Sequence, residues 1–572
     1  MAAKKWGLII IIMINLVFSC FASSLWGMDS AREKTGEEVF INQVGYLTNA
    51  PKFVISAKAA GEFMIYDEEK EKSIFQGALE PFADPTSMQT VWRGDFSSLK
   101  LPGVYRVFIP EVGWSYPFTI DHAVYNQVLA LGTRYYYLQR CGIVLNDDNS
   151  GLSHPLCHRQ DGVMARADAF NQKGDVIPSM GGWHDAGDYG KYTTTTTVTV
   201  AQLLAAYQLW PEKFVDGQFG IPESGNGRPD LLDEARVGIE WLFTMQRPDG
   251  AVYHKLSGRY WPNIGTSPDF DRQPRYIYGI STADTGKFAA TMAIVARVFQ
   301  GMDPDLAERA EQAAKKAWGF LAENEFIWDH SGFDDQGSGA YGTNDDWPDR
   351  IWAAMELGVL TGDDSYVSAV INEENTFRRP YQPTPISWFD GALLGLFHYA
   401  CEEGGRPELS AELTAMIINL ADHYLAAVDR SGYRYTLKFN EFAWASNKEA
   451  LSRGITMLLA AELKANPQYQ LAALAQLDFV LGFNPLSQCY VAGLGTKTVK
   501  SPHHRLVVAS SKSVPGLLVG GPNNQAESGV EPRDRGPFSY QDATPSYSSN
   551  ETAIDYNAAL VFVASAFAAT PE

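Results

Sequence analysis

Leu231-Leu232-Asp233-Glu234-Ala235-Arg236-Val237-Gly238-Ile239-Glu240-Trp241-Leu242 places Leu231, Ala235, Ile239 and Leu242 on one side of a helical wheel, the spacing of an amphipathic helix. The same period recurs at Val128, Leu131, Tyr135 and Leu138, and at Leu413, Ile417, Leu420 and Tyr424. Further segments open near Thr193, Asp284, Leu306, Asp349, Gly391, Lys448, Gln468 and Tyr556, about eleven or twelve in all. No repeat with a period of about 20 to 50 residues marks a helical solenoid. The pattern predicts an all-α domain over residues 123–570, with Gly, Pro and Trp concentrated in its long loops, where functional residues gather.

Upstream, residues 37–121 read as a small all-β domain. Lys52 to Ala57, Phe63 to Tyr66 and Val104 to Ile109 are short β-rich runs separated by turn clusters such as Leu101-Pro102-Gly103. Residues 1–27 read as a signal peptide: Lys4 and Lys5 precede an apolar run from Leu8 to Phe21. Val17-Phe18-Ser19-Cys20 looks like a bacterial lipobox, which makes Cys20 a lipidation site. Ordinary cleavage near Ala22 and an uncleaved anchor are the alternatives, and all three export the chain. A formal charge of −21 over 572 residues leaves no basic face for nucleic acid or an anionic membrane, so membrane contact is expected only through the lipid. A neutral polymer such as a glucan is compatible with that charge.

Two segments carry the chemistry. Gly181-Gly182-Trp183-His184-Asp185-Ala186-Gly187-Asp188-Tyr189-Gly190-Lys191-Tyr192 sets Asp185 and Asp188 three residues apart in a Gly-rich loop, with aromatic faces of the kind sugars stack on. A surface turn or a calcium loop has the same composition. Far downstream, Ser549-Asn550-Glu551-Thr552-Ala553-Ile554-Asp555-Tyr556 puts Glu551 directly ahead of an apolar helical run. Hydrolysis of a glycosidic bond needs one carboxyl as acid and another as base, and these segments supply both.

Together the two segments resemble the signatures of glycoside hydrolase family 9, the inverting cellulases, and the likeness extends over nearly all of the chain past the leader. Asn42-Gln43-Val44-Gly45-Tyr46 and Tyr116-Pro117-Phe118-Thr119-Ile120 resemble the immunoglobulin-like module that precedes many of its catalytic domains. The resemblance and the helix count both point to an (α/α)6 barrel behind a β-sandwich. It implies Asp188 as general base, Asp185 as holder of the attacking water and Glu551 as general acid, with Asp555 read as structural. In Pro502-His503-His504-Arg505, His503 and Arg505 are implied sugar contacts. So are Tyr556, five residues past Glu551, and Trp444, followed here by Ala445 where the family usually has Gly. Trp261, Tyr341, Trp347 and Trp388 read equally as subsites or as core.

No cofactor is expected for the chemistry, but metals are expected for structure. Cys141 and Cys157-His158, with His154, Asp161 and His184 nearby, suit zinc, while a Cys141–Cys157 disulfide is the ordinary alternative in an exported protein. The family resemblance implies a structural zinc on Cys141, Cys157, His158 and His184, with Asp161 and His154 behind His184. Calcium is expected at two clusters. One is Glu223, Asn226, Asp230 and Asp233, which also reads as carboxylates at a helix N-terminus. The other is Thr343, Asp345, Asp349 and Asp390, where Arg350 replaces the family's usual Glu. Cys401 and Cys489 read as buried thiols. The expected activity is that of an exported, inverting endo-β-1,4-glucanase. The rivals are an exo-acting cellodextrinase, cellobiosidase or β-glucosidase-like relative, and a glycan-binding lipoprotein without catalysis.

Overall fold

The structure, a computed structural model, describes residues 36–329, 338–372 and 376–571. The leader, with Lys4, Lys5 and Cys20, lies outside the described residues. No helix among those described is long and apolar enough to cross a membrane.

The N-terminal region is all β. Eight of its nine strands among the described residues, from Val39–Phe40 to Phe118–Ile120, form one hydrogen-bonded path, and Gly113–Trp114 branches from Gly103–Ile109. The strand Lys72–Asp84 pairs with Glu62–Asp67 as far as Ala78 and with Gln89–Asp95 from Leu79 onward, so it carries the chain from one layer into the other. Glu62–Asp67 alternates as a half-buried strand should, and Phe63 and Ile65 point inward against Val107, Ile109 and Phe118.

This β region is fused to the helical region by more than a linker. Phe40, Ile55 and Val91 join the core of the helical region. Asn42 Nδ2 (2.7 Å) and Tyr125 Oη (3.1 Å) both donate to Asp478 Oδ1, so the buried carboxylate is satisfied across the junction. Gln43 donates to the Ser487 carbonyl at 2.6 Å, and its own carbonyl accepts the amides of Thr496 and Lys497.

The rest is built on eleven helices of nine residues or more among the described residues: α1 (Asn126–Gln139), α2 (Thr193–Leu209), α3 (Asp230–Thr244), α4 (Thr282–Phe299), α5 (Pro304–Glu323), α6 (Trp347–Thr361), α7 (Ala392–Ala400), α8 (Pro407–Val428), α9 (Ser446–Leu463), α10 (Pro467–Val480) and α11 (Ile554–Phe567). Six of them, α2, α4, α6, α7, α9 and α11, are buried on nearly every face. In this inner set α2 packs on α4, α4 on α6, α6 on α7, and α9 on α11, which returns to α2. The other five lie outside them: α8 packs on both α7 and α9, α1 on α11, and α5 on α4. α5 shows why such a helix forms and where it starts. It buries Leu306, Ala310, Ala317 and Leu321 on one stripe, Pro304 sits in its first turn, and the Asp303 carboxylate accepts the Leu306 amide at 3.2 Å.

Five inner helices are entered from a loop that carries a residue singled out above: α2 follows Asp185 and Asp188, α6 follows Tyr341, α7 follows Trp388, α9 follows Trp444, and α11 follows Glu551. The N-terminal ends of the inner helices therefore gather these side chains.

Candidate active site

The loop after Trp183 and the segment before α11 are joined directly. Ala186 and Ala553 form an antiparallel bridge, and the Ile554 amide donates to the Asp185 carbonyl at 2.8 Å. The Gly187 amide donates to Glu551 Oε1 at 3.2 Å. Arg505 closes the junction from the other side: its amide (3.0 Å) and its guanidinium (2.9 Å) both donate to the Gly187 carbonyl. Gly187 is where everything crosses. A Cβ there would stand 2.0 Å from the His503 carbonyl oxygen and 2.9 Å from Glu551 Oε1, so glycine is required by close approach.

Asp185 and Asp188 are both buried. Asp185 accepts hydrogen bonds on both oxygens, from the Thr195 hydroxyl and from Tyr341 Oη, the latter at 2.8 Å. Asp188 accepts from Tyr192 Oη at 3.2 Å. Burial raises the pKa of both, and the charge of Asp188 raises Asp185 further; at Asp188 the Arg505 guanidinium works against the burial. Glu551 is pushed up to about 8, by burial first and by the charge of Asp188 second. It therefore keeps its proton at neutral pH, while Asp188 has a cation to help it discharge.

Around these carboxyls stand the sugar-contact candidates. Trp444 Nε1 donates to Tyr556 Oη at 3.1 Å, and the Trp444 ring leans on Tyr547, which in turn meets His503. His503 Nδ1 bonds the Thr544 carbonyl at 2.7 Å. Ala445 has φ 66°, a left-handed conformation that explains why glycine is usual at this position. Arg505 spends its guanidinium on the carbonyls of Gly187 and Pro262 and lies 5.6 Å from the centroid of the Trp261 ring.

Several expectations change. The aromatic residues within the Gly-rich loop, Trp183, Tyr189 and Tyr192, are buried and offer no face to a sugar; Trp183 Nε1 is bound to Glu234 at 2.8 Å. Trp347 is core, its indole N–H on the Arg379 carbonyl. Tyr341 and Trp388 pack edge to face beside Asp185, and Tyr341 holds a carboxyl oxygen there. Thr195 was not singled out, although it lies in the run Thr193–Thr197 that opens α2. Cys401 is exposed; Cys489 is buried, as expected.

Cys141, Cys157, His158 and His184 bring one donor atom each to within 4.8 Å of one another, all buried. Cys141 Sγ lies 3.5 Å and His184 Nε2 lies 3.2 Å from His158 Nδ1. Both cysteines are free thiols, not a disulfide. The Gly142 amide points at Cys157 Sγ at 3.3 Å, and burial brings His184 down to about 4, so its ring is neutral. Tetrahedral zinc with bonds of about 2.0 to 2.3 Å needs donors roughly 3.3 to 3.8 Å apart; the 3.5 Å contact falls in that range and the 3.2 Å contact just below it. Asp161 is not among the donors: it is paired to Lys191 (2.8 Å) and Arg275 (3.2 Å). His154 is turned to the Pro155 carbonyl.

The side chains of the two calcium-candidate clusters have partners within the chain. Glu223 takes both guanidinium nitrogens of Arg140 at 2.9 Å. Asp230 accepts the amides of Gly217 and Phe219 and the Ser224 hydroxyl; Asp233 accepts from Asn226 and Arg228. In the second cluster Lys287 Nζ lies 2.7 Å from Asp349. Asp345 takes Arg379, Asp390 takes the Ala392 amide and the hydroxyls of Tyr381 and Thr384, and Thr343 donates to the Asp345 carbonyl.

An acid raised by its surroundings and joined through Gly187 to a loop bearing two buried aspartates is the acid–base set of a glycoside hydrolase. The particular family follows from comparison. The profile of glycosyl hydrolase family 9 matches residues 125–564, and that of the cellulase N-terminal Ig-like domain matches residues 34–113. The chain belongs to glycosyl hydrolase family 9. It is 32% identical to endoglucanase D of Acetivibrio thermocellus over 92% of this chain and 83% of that one. The crystal structure of a metagenome-derived family 9 endoglucanase superimposes with a TM-score of 0.90 at 45% identity, covering 93% of this chain and 99% of that one. A Zn-binding triple mutant of the family 9 endoglucanase J30 superimposes with a TM-score of 0.86 at 35% identity, covering 92% and 100%.

Proposed function

We propose that the protein is an endo-β-1,4-glucanase that cleaves with inversion, its catalytic unit an (α/α)6 barrel over residues 123–570 and its immunoglobulin-like module over 37–121 acting as a brace. The observation that carries this reading is the junction at Gly187, whose amide donates to Glu551 Oε1 from the loop that bears Asp185 and Asp188; burial raises the Glu551 carboxyl, and Arg505 favours the charge of Asp188. Glu551 gives its proton to the departing oxygen. Asp188 takes a proton from the attacking water, and Asp185, its own oxygens oriented by Thr195 and Tyr341, holds that water. Trp388 packed on Tyr341, Trp444 bonded to Tyr556 and Trp261 under Arg505 support a chain that runs through the site and is cut internally.

Cys141, Cys157, His158 and His184 hold a structural zinc in this reading. It supplies no step of the hydrolysis; it pins His184, the residue next to Asp185. The leader pattern around Lys4, Lys5 and Cys20 supports export.

The test is hydrolysis of carboxymethylcellulose and cellohexaose, followed by viscosity, product size and the anomer first released. A fast viscosity drop with mixed products of inverted configuration supports the reading. Stepwise release of one sugar or one disaccharide assigns an exo enzyme instead, and retained configuration refutes the mechanism.

A further inference from the structure

The short run of residues 338–341 is tied to both aspartates. Tyr341 Oη donates to Asp185 Oδ2 at 2.8 Å, and the Gly339 amide donates at 2.9 Å to Tyr192 Oη, which itself donates to Asp188 Oδ2 at 3.2 Å. Tyr341 reaches Asp185 from a left-handed backbone, φ 43°, which a bulky residue keeps only where its surroundings impose it. The strand Tyr253–Ser257 supplies the restraint. Lys255 Nζ donates to Ser338 Oγ at 2.7 Å and to the Gly339 carbonyl at 3.1 Å, and Ser257 Oγ lies 2.9 Å from Ser338 Oγ. Closest to the strained residue is the buried His254, whose Nε2 lies 2.8 Å from the Ala340 carbonyl. A carbonyl only accepts, so that nitrogen carries a proton. Nδ1 lies 2.7 Å from Asp284 Oδ2 in the first turn of α4, and the Trp328 ring meets the imidazole edge to face, centroids 4.5 Å apart. The imidazole is thus fixed at both nitrogens and against a ring.

Resting on the glucanase reading, we propose that His254 is a positioning residue for the hydrolysis: held by Asp284, it fixes the Ala340 carbonyl, keeps Tyr341 left-handed and so delivers the Tyr341 hydroxyl to Asp185. Its effect on the rate runs through Tyr341. A hydroxyl aimed beforehand costs nothing to orient when the water that Asp185 holds attacks, whereas one on a relaxed backbone has to be gathered in each turnover. Two substitutions separate this role from a merely structural one. Gln places an amide nitrogen where Nε2 stands, and Asn places one where Nδ1 stands.

The experiment measures Tm and kcat/KM on carboxymethylcellulose for full-length protein carrying His254→Gln or His254→Asn, each with and without Tyr341→Phe. His254→Asn loses the Ala340 bond, so kcat/KM is expected to fall about 10- to 100-fold, while His254→Gln rescues it to within about threefold of wild type. With Tyr341→Phe already present, His254→Asn is expected to cost less than about threefold more, because the hydroxyl it positions is gone. Equal kcat/KM with Gln and Asn overturns the role, as does an Asn loss of the same size in both backgrounds. Should His254→Asn fail to fold, His254→Gln decides: a wild-type Tm with kcat/KM as low as that of Tyr341→Phe overturns the role. Wild-type protein inactive on both carboxymethylcellulose and cellohexaose overturns the glucanase reading, and the His254 role with it.

Discussion

The Ile554 amide is hydrogen-bonded to the Asp185 carbonyl at 2.8 Å, so the segment bearing the acid and the loop bearing the two aspartates are one piece of backbone structure. Residues 366 positions apart in sequence, Asp185 and Glu551, are thus spaced by main-chain bonds and not by side-chain contacts that thermal motion loosens readily.

Gly187 lies at the centre of that junction. Gly187→Ala forces either the His503 carbonyl or Glu551 to move, and a displacement near 1 Å costs on the order of a hundredfold in rate. We expect kcat on carboxymethylcellulose to fall by about that factor. Wild-type kcat in the variant would contradict the assigned site.

The pH profile follows from the two kinds of carboxyl. Glu551 works protonated, so activity is lost as pH rises through about 8. Asp188 works ionised, so activity is lost on the acid side at a pH above the ordinary aspartate value, burial having raised it. Glu551→Gln is expected to lower kcat roughly 10²- to 10⁴-fold and to abolish the alkaline limb of what remains. An alkaline limb that survives the substitution assigns the acid elsewhere.

Tyr341→Phe removes one donor from Asp185 without changing volume much. A hydrogen bond to a charged group contributes about 1.5–3 kcal/mol, so kcat/KM should drop roughly 10- to 100-fold with little change in Tm. Equal activity of the variant would show that Asp185 does not depend on that bond.

Ala445→Gly relieves a left-handed alanine. The strain of about 1–2 kcal/mol exceeds the roughly 0.4–1 kcal/mol that glycine loses through chain entropy. A net gain of about 0.5–1 kcal/mol in denaturant unfolding is expected. A loss of stability would mean that the Ala445 methyl makes contacts that outweigh its strain.

Zinc content separates the metal reading from a bare thiol cluster. One zinc per chain is expected in protein purified without chelator, with Tm lowered on its removal and restored by zinc alone. Protein that is metal-free as purified and equally stable with or without added zinc would rule it out.

Much of this was legible in the sequence because periodicity is local. The helix starts read near Thr193, Lys448 and Gln468 fall at Thr193, Ser446 and Pro467, and the strand read over Val104–Ile109 is Gly103–Ile109. The Asp185, Asp188 and Glu551 segments were legible as motifs. What the sequence hid were partners fixed only by the fold. Thr195 in α2 and Tyr341 in the loop before α6 converge on Asp185, and nothing at positions 195 or 341 signals it. The partners of the acidic clusters were hidden for the same reason: Arg140 and Lys287, 83 residues before Glu223 and 62 before Asp349, meet them only in the fold.

The Lys287–Asp349 pair is built by the chain alone. A bound ion dissociates, and its occupancy follows the surrounding medium; an ammonium on a covalent tether stays beside its carboxyl at any dilution. The partner of this buried carboxyl is inherited with the polypeptide instead of gathered from the environment.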